Sequence, residues 1–240
     1  MFCCSKKITP ETFAEAVKTV LGAHLRSVIL YGSAVAGDHA GKGSDYNVLI
    51  VADGFDMDAL EALSKPFNKW TAQGNPAPRL FTEKQLLNSC DVFPIEMLDM
   101  QQSHRVLAGA DILAGVEILR ANLRHQVEFE LRVKLLALRG GCVGSGCDRI
   151  ALSRMMIASS SPVLSVLRAA LRLYENDVPA DKLAALDALA GHVPFDVAPF
   201  KQIAAAKSGG AGVGGKGAEV LFADYLKQID VVTDAVDSLN

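Results

Sequence analysis

The sequence predicts an α+β N-terminal domain, a mixed sheet with flanking helices, followed by an all-α helical bundle. Three observations predict it. Apolar runs of strand length interleave with helical patterns up to about Leu113. From Gly115 onward the apolar residues recur at helical spacing throughout. The change of character falls near 113–115, so the domains are read as 1–113 and 114–240.

Each element has a local reason. Thr9-Pro10 supplies a cap residue and then a proline at the first helical position. Phe13, Val17, Val20 and Leu21 continue that helix to about His24. Ser27–Tyr31 and Asn47–Ala52 are short, bounded apolar runs and read as buried strands. Met57–Trp70 is helical in pattern, with a break or kink expected at Pro66. Gly74–Pro78 is a loop and Arg79–Phe81 a short extended segment. Thr82-Glu83-Lys84-Gln85 fits a capping box and starts a short helix. Val92–Leu98 reads as a further strand, with Pro94 at its edge or start.

The second half predicts helices alone. Leu119, Leu123, Val127, Leu131 and Leu135 place one long helix over Gly115–Arg139, closed by Gly140-Gly141. Further helices are expected at Cys147–Tyr174, interrupted near Ser159–Pro162, and at Pro179–Ala190, Phe195–Ala206 and Ala218–Leu239.

Composition narrows the function classes. The 240 residues are half apolar and 21% charged, which suits a globular chain with a real core. A net charge of −3 argues against a nucleic-acid partner, which selects for a basic footprint. The N-terminus lacks a signal-type apolar stretch, and no apolar run of membrane-spanning length is read. The five cysteines, Cys3, Cys4, Cys90, Cys142 and Cys147, form no metal spacing and read as reduced thiols in a cytoplasmic protein.

The chemistry concentrates in Ser27–Ala52, SVILYGSAVAGDHAGKGSDYNVLIVA. A strand that ends in Gly32-Ser33 lets backbone approach an anion, because glycine carries no side chain. A helix starting at Ser33 would turn free N–H groups toward a phosphate, and the Ser33 hydroxyl adds a donor. Residues two apart on a strand share a face, so Asp45 and Asn47 project together. Oxygen ligands of this kind suit Mg²⁺, which also takes phosphate oxygens. Glu96, a charge among the apolar residues Phe93–Leu98, is the candidate third ligand, with Asp99 as runner-up.

Gly32-Ser33, Asp45-Tyr46-Asn47 and Glu96, in that order, resemble the signature of the polymerase-beta-like nucleotidyltransferases. The helical second half is similar to that of the small-molecule and antibiotic members. The resemblance implies a Mg²⁺- or Mn²⁺-dependent enzyme. It would move a nucleoside monophosphate from an NTP such as ATP to a hydroxyl of a small molecule or protein. Gly32 and Ser33 would hold phosphates; Asp45, Asn47 and Glu96 would hold metal, with Asp45 and Glu96 catalytic. The family pattern has Asp-x-Asp where this chain has Asp45-x-Asn47. A neutral amide attracts the cation less, so slow one-metal chemistry, nucleotide binding without catalysis, and substitution by Asp38 or Asp99 all stay open. The alternative function is a nucleotide sensor or interaction module. The acceptor is expected between the two domains.

Other features read plainly. Gly210–Gly217 approaches a P-loop but lacks both the hydroxyl residue and a preceding strand, so it reads as a glycine linker. Arg120, Arg124, Arg132 and Lys134 alternate with Glu117, Glu128 and Glu130 as a solvated face. Arg105 is either a cleft residue or a surface partner. Trp70 reads as packing. The amphipathic last helix offers a homodimer surface.

Overall fold

The computed structural model describes residues 8–36, 46–210, 213 and 217–239. The chain divides into two compact units, Met1–Leu119 and Arg120–Asn240.

The first unit is built on a four-stranded mixed sheet of order β3-β2-β1-β4. Its strands are β1 (Leu25–Tyr31), β2 (Asn47–Ala52), β3 (Arg79–Thr82) and β4 (His104–Gly109). β1 pairs antiparallel with both β2 and β4, while β2 and β3 run parallel. Helix α1 (Pro10–Leu21) begins at a Thr9–Thr12 capping box. The single turn α2 (Ser33–Ala36) follows β1, and α3 (Met57–Thr71) follows β2 from the Asp56 cap. The expected break at Pro66 is absent: α3 runs through it, with Pro66 on its buried side. Helix α4 (Glu83–Asn88) starts at the Thr82–Gln85 capping box.

Each face of the sheet has its own core. Val28, Leu30, Val48 and Ile50 pack against Phe13, Val17, Leu63 and Trp70 from α1 and α3. Trp70 is fully buried, stacks 4.6 Å from Phe13 and donates to the Pro76 carbonyl at 3.0 Å. Ile29, Leu49 and Val51 pack on the other face against Leu86, Met97, Met100 and Leu113.

The strand expected over Val92–Leu98 is in fact helical. Helix α5 (Pro94–Gln102) takes Pro94 as its first-turn residue, and Met97 and Met100 enter the second core three residues apart. An apolar run of seven residues fits either period, and the proline that suggested a strand edge is a helix starter here. The true neighbouring strand is β4, immediately after it.

The second unit is all helical: α6 (Arg120–Gly144), α7 (Arg149–Leu171), α8 (Lys182–Ala190), α9 (Ala198–Lys207) and α10 (Ala218–Asp237). Leu123, Val127, Leu131 and Leu135 are the buried stripe of α6, but Leu119 precedes the helix and is exposed. Gly140-Gly141 does not end α6, which continues to Gly144. Cys142 and Cys147 then form a disulfide across the α6–α7 turn, so the reading of all thiols as reduced is corrected. Cys90 carries a free thiol.

The interruption expected at Ser159–Pro162 is absent, and α7 is continuous with Pro162 inside it. Among the described residues α7 alone has the length and mean hydropathy, 1.4, of a membrane span, contrary to the sequence reading. Its Leu152, Met156, Val163, Leu167 and Leu171 are buried core residues of the bundle. Leu221, Phe222, Tyr225, Ile229 and Val232 of α10 are likewise buried. On α6, Glu128 pairs with Arg124 and Arg132, and Lys134 with Glu130, the mixed charges that were expected, but Arg124, Glu128 and Lys134 are half-buried rather than solvated, and Arg120 donates to the Leu173 carbonyl. Most of Gly210–Gly217 lies outside the described residues.

Two outcomes follow. Gly109 has φ +81°, and a Cβ there would lie 2.0 Å from the Arg26 carbonyl oxygen. Gly109→Ala should cost about 2 to 4 kcal/mol, read as a lower urea midpoint; an unchanged midpoint would refute the clash. Tyr225 is buried against Phe200, its phenol shares a 3.2 Å hydrogen bond with the Ser159 hydroxyl, and burial pushes its pKa from 10.0 to about 12. The folded state thus holds this proton more tightly than the unfolded state. The stability it contributes is whole below pH 10.0 and is lost as pH rises toward about 12. Across that window the wild type should lose about 2 to 3 kcal/mol more than Tyr225→Phe in denaturant titrations. Equal losses would show that the phenol is not the group responsible.

Candidate functional site

The site forms where β1 ends and β2 begins. Tyr31 is opposite Asn47 on β2 and opposite His104 on β4. Strand alternation places Tyr31 on the face of Ile29, Asn47 on the face of Leu49 and Val51, and Arg79 on the face of Phe81. All three therefore share the second face of the sheet, the one covered by α5.

Gly32 turns the chain away from this corner with φ +86°. A side chain at that position would meet the Asn47 amide nitrogen at 3.3 Å. The glycine is therefore needed twice, for the left-handed turn and for the approach of Asn47. The Gly32 N–H is already used, donating to the Ser103 carbonyl at 2.9 Å, and the Gly32 carbonyl accepts from Val35 at 2.9 Å. Ser33 opens α2, a helix of one turn, at the position where a helix start was expected.

Asp45 and Asp38 lie outside the described residues, as do Gly37, Gly41 and Gly43. Asn47 is the first residue of β2 and is half-buried. Glu96 stands in the first turn of α5 and not on a strand. Burial holds the Tyr31 phenol above its usual pKa, and the Glu96 charge adds a smaller part of that rise. The Arg79 charge opposes that rise. Asp99 lies one turn further along α5 and is also half-buried.

On the far side, His104 bridges the Gln101 carbonyl at 3.1 Å and Asp111 at 3.1 Å. The hydrogen bond from His104 holds the Asp111 carboxyl below its usual pKa. Arg105 points elsewhere and pairs with Glu11 at 2.6 Å on the surface, so of its two readings the surface one holds.

The strands flanking β1 and β2 read RLFT and HRVLAG and carry no acid. Among the described residues no three His, Cys, Asp or Glu side chains gather as a metal site. Sequence reasoning missed Tyr31 and Arg79. The signal for both was available in the alternation of each strand, which puts them on the same face as Ile29 and Phe81.

This fold is found in a solved enzyme. The chain superposes on the spectinomycin adenyltransferase AAD(9) from Enterococcus faecialis, crystallised with ATP and spectinomycin. The TM-score is 0.59 at 11% identity, over 95% of this chain and 98% of that one. The mixed sheet with flanking helices and the helical C-terminal half are thus those of the nucleotidyltransferase fold. No family model matches the sequence. No curated protein matches it either.

The close packing at Gly32 can be checked directly. Gly32→Ala should cost about 1 to 2 kcal/mol through the left-handed backbone. It should also shift the NMR signals of the Asn47 side-chain amide. Unmoved Asn47 signals would mean that the two residues are not in contact.

Proposed function

We propose that this chain binds a nucleoside triphosphate, ATP in the first instance, at the Gly32–Asn47 corner and serves as a nucleotide-responsive binding module. The observation that carries this reading is the packing of Asn47 against the left-handed Gly32, at the end of the central strand of a nucleotidyltransferase fold. That packing keeps the turn and its neighbouring ligand position together while the ligand itself is neutral. Gly32 and Ser33 form the phosphate turn. Asp45, Asn47 and Glu96 are the residues toward a divalent cation, Mg²⁺ or Mn²⁺, and together they bring two charges where three carboxylates would bring three.

A second reading is supported by the ligands of the structural neighbour, ATP and spectinomycin. On that reading the chain transfers a nucleoside monophosphate to a hydroxyl of a small molecule, or of a protein, slowly for want of the third charge. The two readings separate on pyrophosphate release from labelled ATP in the presence of a metabolite mixture. Binding without release supports the module, and release supports the transferase.

Asn47→Asp restores the missing charge. It should tighten Mg²⁺–ATP binding by about tenfold, roughly 1.4 kcal/mol, and raise any pyrophosphate release above that of the wild type. If neither quantity moves in calorimetry and a coupled pyrophosphate assay, Asn47 is not what limits the site.

A further inference from the structure

We propose that α6 is a self-association helix: its exposed apolar face receives the same face of a second copy of this chain, with the two helices antiparallel. The inference is independent of the nucleotide reading above and rests on the second unit alone.

The helix carries two apolar stripes. One, made of Leu123, Val127, Leu131, Leu135 and Leu138, is buried in its own bundle. The other passes through Gln126, Phe129, Val133, Leu136, Gly140 and Val143 in alternating steps of three and four residues, the a/d spacing of a coiled-coil seam. Its apolar side chains stand open: Phe129 is 63% exposed, Val133 41%, Leu136 66% and Val143 80%. A helix that served only its own bundle would carry polar residues on this face. A contiguous apolar row with a charged border marks an interaction surface.

The sizes of the residues along the seam identify the occupant. Phe129 is the bulkiest and Gly140 the smallest, and a Cβ at Gly140 would meet no described atom within 4 Å. Glycine is unfavourable inside a helix, so its place on the seam calls for a reason. A two-fold axis level with the Val133–Leu136 turn sets Phe129 of each copy over Gly140 of the other. It also sets Val133 against Leu136, and Gln126 against Val143. The widest residue then fills the narrowest position. A parallel pair would instead stack Phe129 on Phe129 and leave a gap at Gly140.

Charge and area fit the same occupant. Arg132 pairs with Glu128 and Asp237, Arg139 with Asp230, and Lys134 with Glu130. Each of these border cations already has its carboxylate, so a second copy meets a balanced rim and not a field of one sign. From Gln126 to Val143 the seam runs about 27 Å and is about 10 Å wide, a footprint on the order of 300 Å². A stable interface takes about 800 Å² from each partner, so the dimer is weak and concentration-dependent.

Sedimentation equilibrium of the full chain, with free thiols alkylated, tests this. The wild type should pass from monomer to dimer with a dissociation constant of about 10 to 100 µM. Leu136→Glu should raise that constant by about tenfold or more. Gly140→Leu should raise it by a similar factor, because it fills the space of the Phe129 ring. Adding Phe129→Ala to Gly140→Leu should bring association back to within about threefold of the wild type, since it restores one large and one small residue to each layer. Circular dichroism checks that the variants fold; were Leu136→Glu to melt early, Gly140→Leu, which favours helix, carries the comparison. A wild type that stays monomeric, whether the stripe is covered by the chain's other unit or kept for a foreign helix, overturns the proposal. So does a dimer that Leu136→Glu and Gly140→Leu both leave unchanged, and a double variant that fails to recover overturns the antiparallel pairing.

Discussion

The N-terminal unit depends on the register of β1. This strand has a partner on each edge, and its two faces serve two different cores. Its register is fixed near the start of the strand, where it is least regular. Ser27 is fully buried, yet its hydroxyl donates to the Ala110 carbonyl at 2.6 Å. The Ala110 N–H returns a bond to Arg26 at 3.0 Å, and Gly109 takes the left-handed turn that allows both. A slip of one residue would exchange Ile29 for Val28 between the cores and would turn Tyr31 away from Asn47. The site at the far end of β1 is thus positioned by hydrogen bonds made at Arg26 and Ser27, near the start of the same strand.

The same register decides the electrostatics of the corner. Because side chains alternate, the face that carries Ile29 and Leu49 as core must carry Tyr31 and Asn47 at its rim, and β3 places Arg79 on the same face, level with Leu49. An acid could join this row from a neighbouring strand only at positions that Arg79, Phe81, His104 and Val106 already hold. Glu96 approaches instead from a helix. Phe93 gives α5 no side-chain cap, and an acid in the first turn is what the exposed N–H groups of a helix favour. Glu96 therefore has a structural reason to be acidic that is independent of any metal.

Much of this was legible in the residues. β2 and the Thr82–Gln85 box could be read to within a residue or two, because short bounded apolar runs and capping boxes are local signals. The buried stripe of α6 was legible for the same reason, since its period is set by one helix against its own neighbours. What could not be read were choices made by tertiary packing. Phe93–Leu98 is compatible with strand and helix alike, and only the seating of Met97 and Met100 under the sheet decides it. Pro66 and Pro162 look like breaks, yet both lie within continuous helices. Gly140-Gly141 looks like a helix end, but α6 extends past it to reach the turn closed by Cys142 and Cys147.

At the site, the turn was legible and its partners were not. Gly32-Ser33 and Asn47 announce themselves by residue type, because few other residues would serve there. Tyr31 and Arg79 do not, since either would pass as strand filler until the pairing of β3 with β2 is known. The consequence is physical. A motif read along the chain reports which carboxylates are present, but the charge of a site is a sum over strands that the motif does not contain. Here Asn47 on β2 is neutral, and among the described residues no acid of β3 or β4 joins its face.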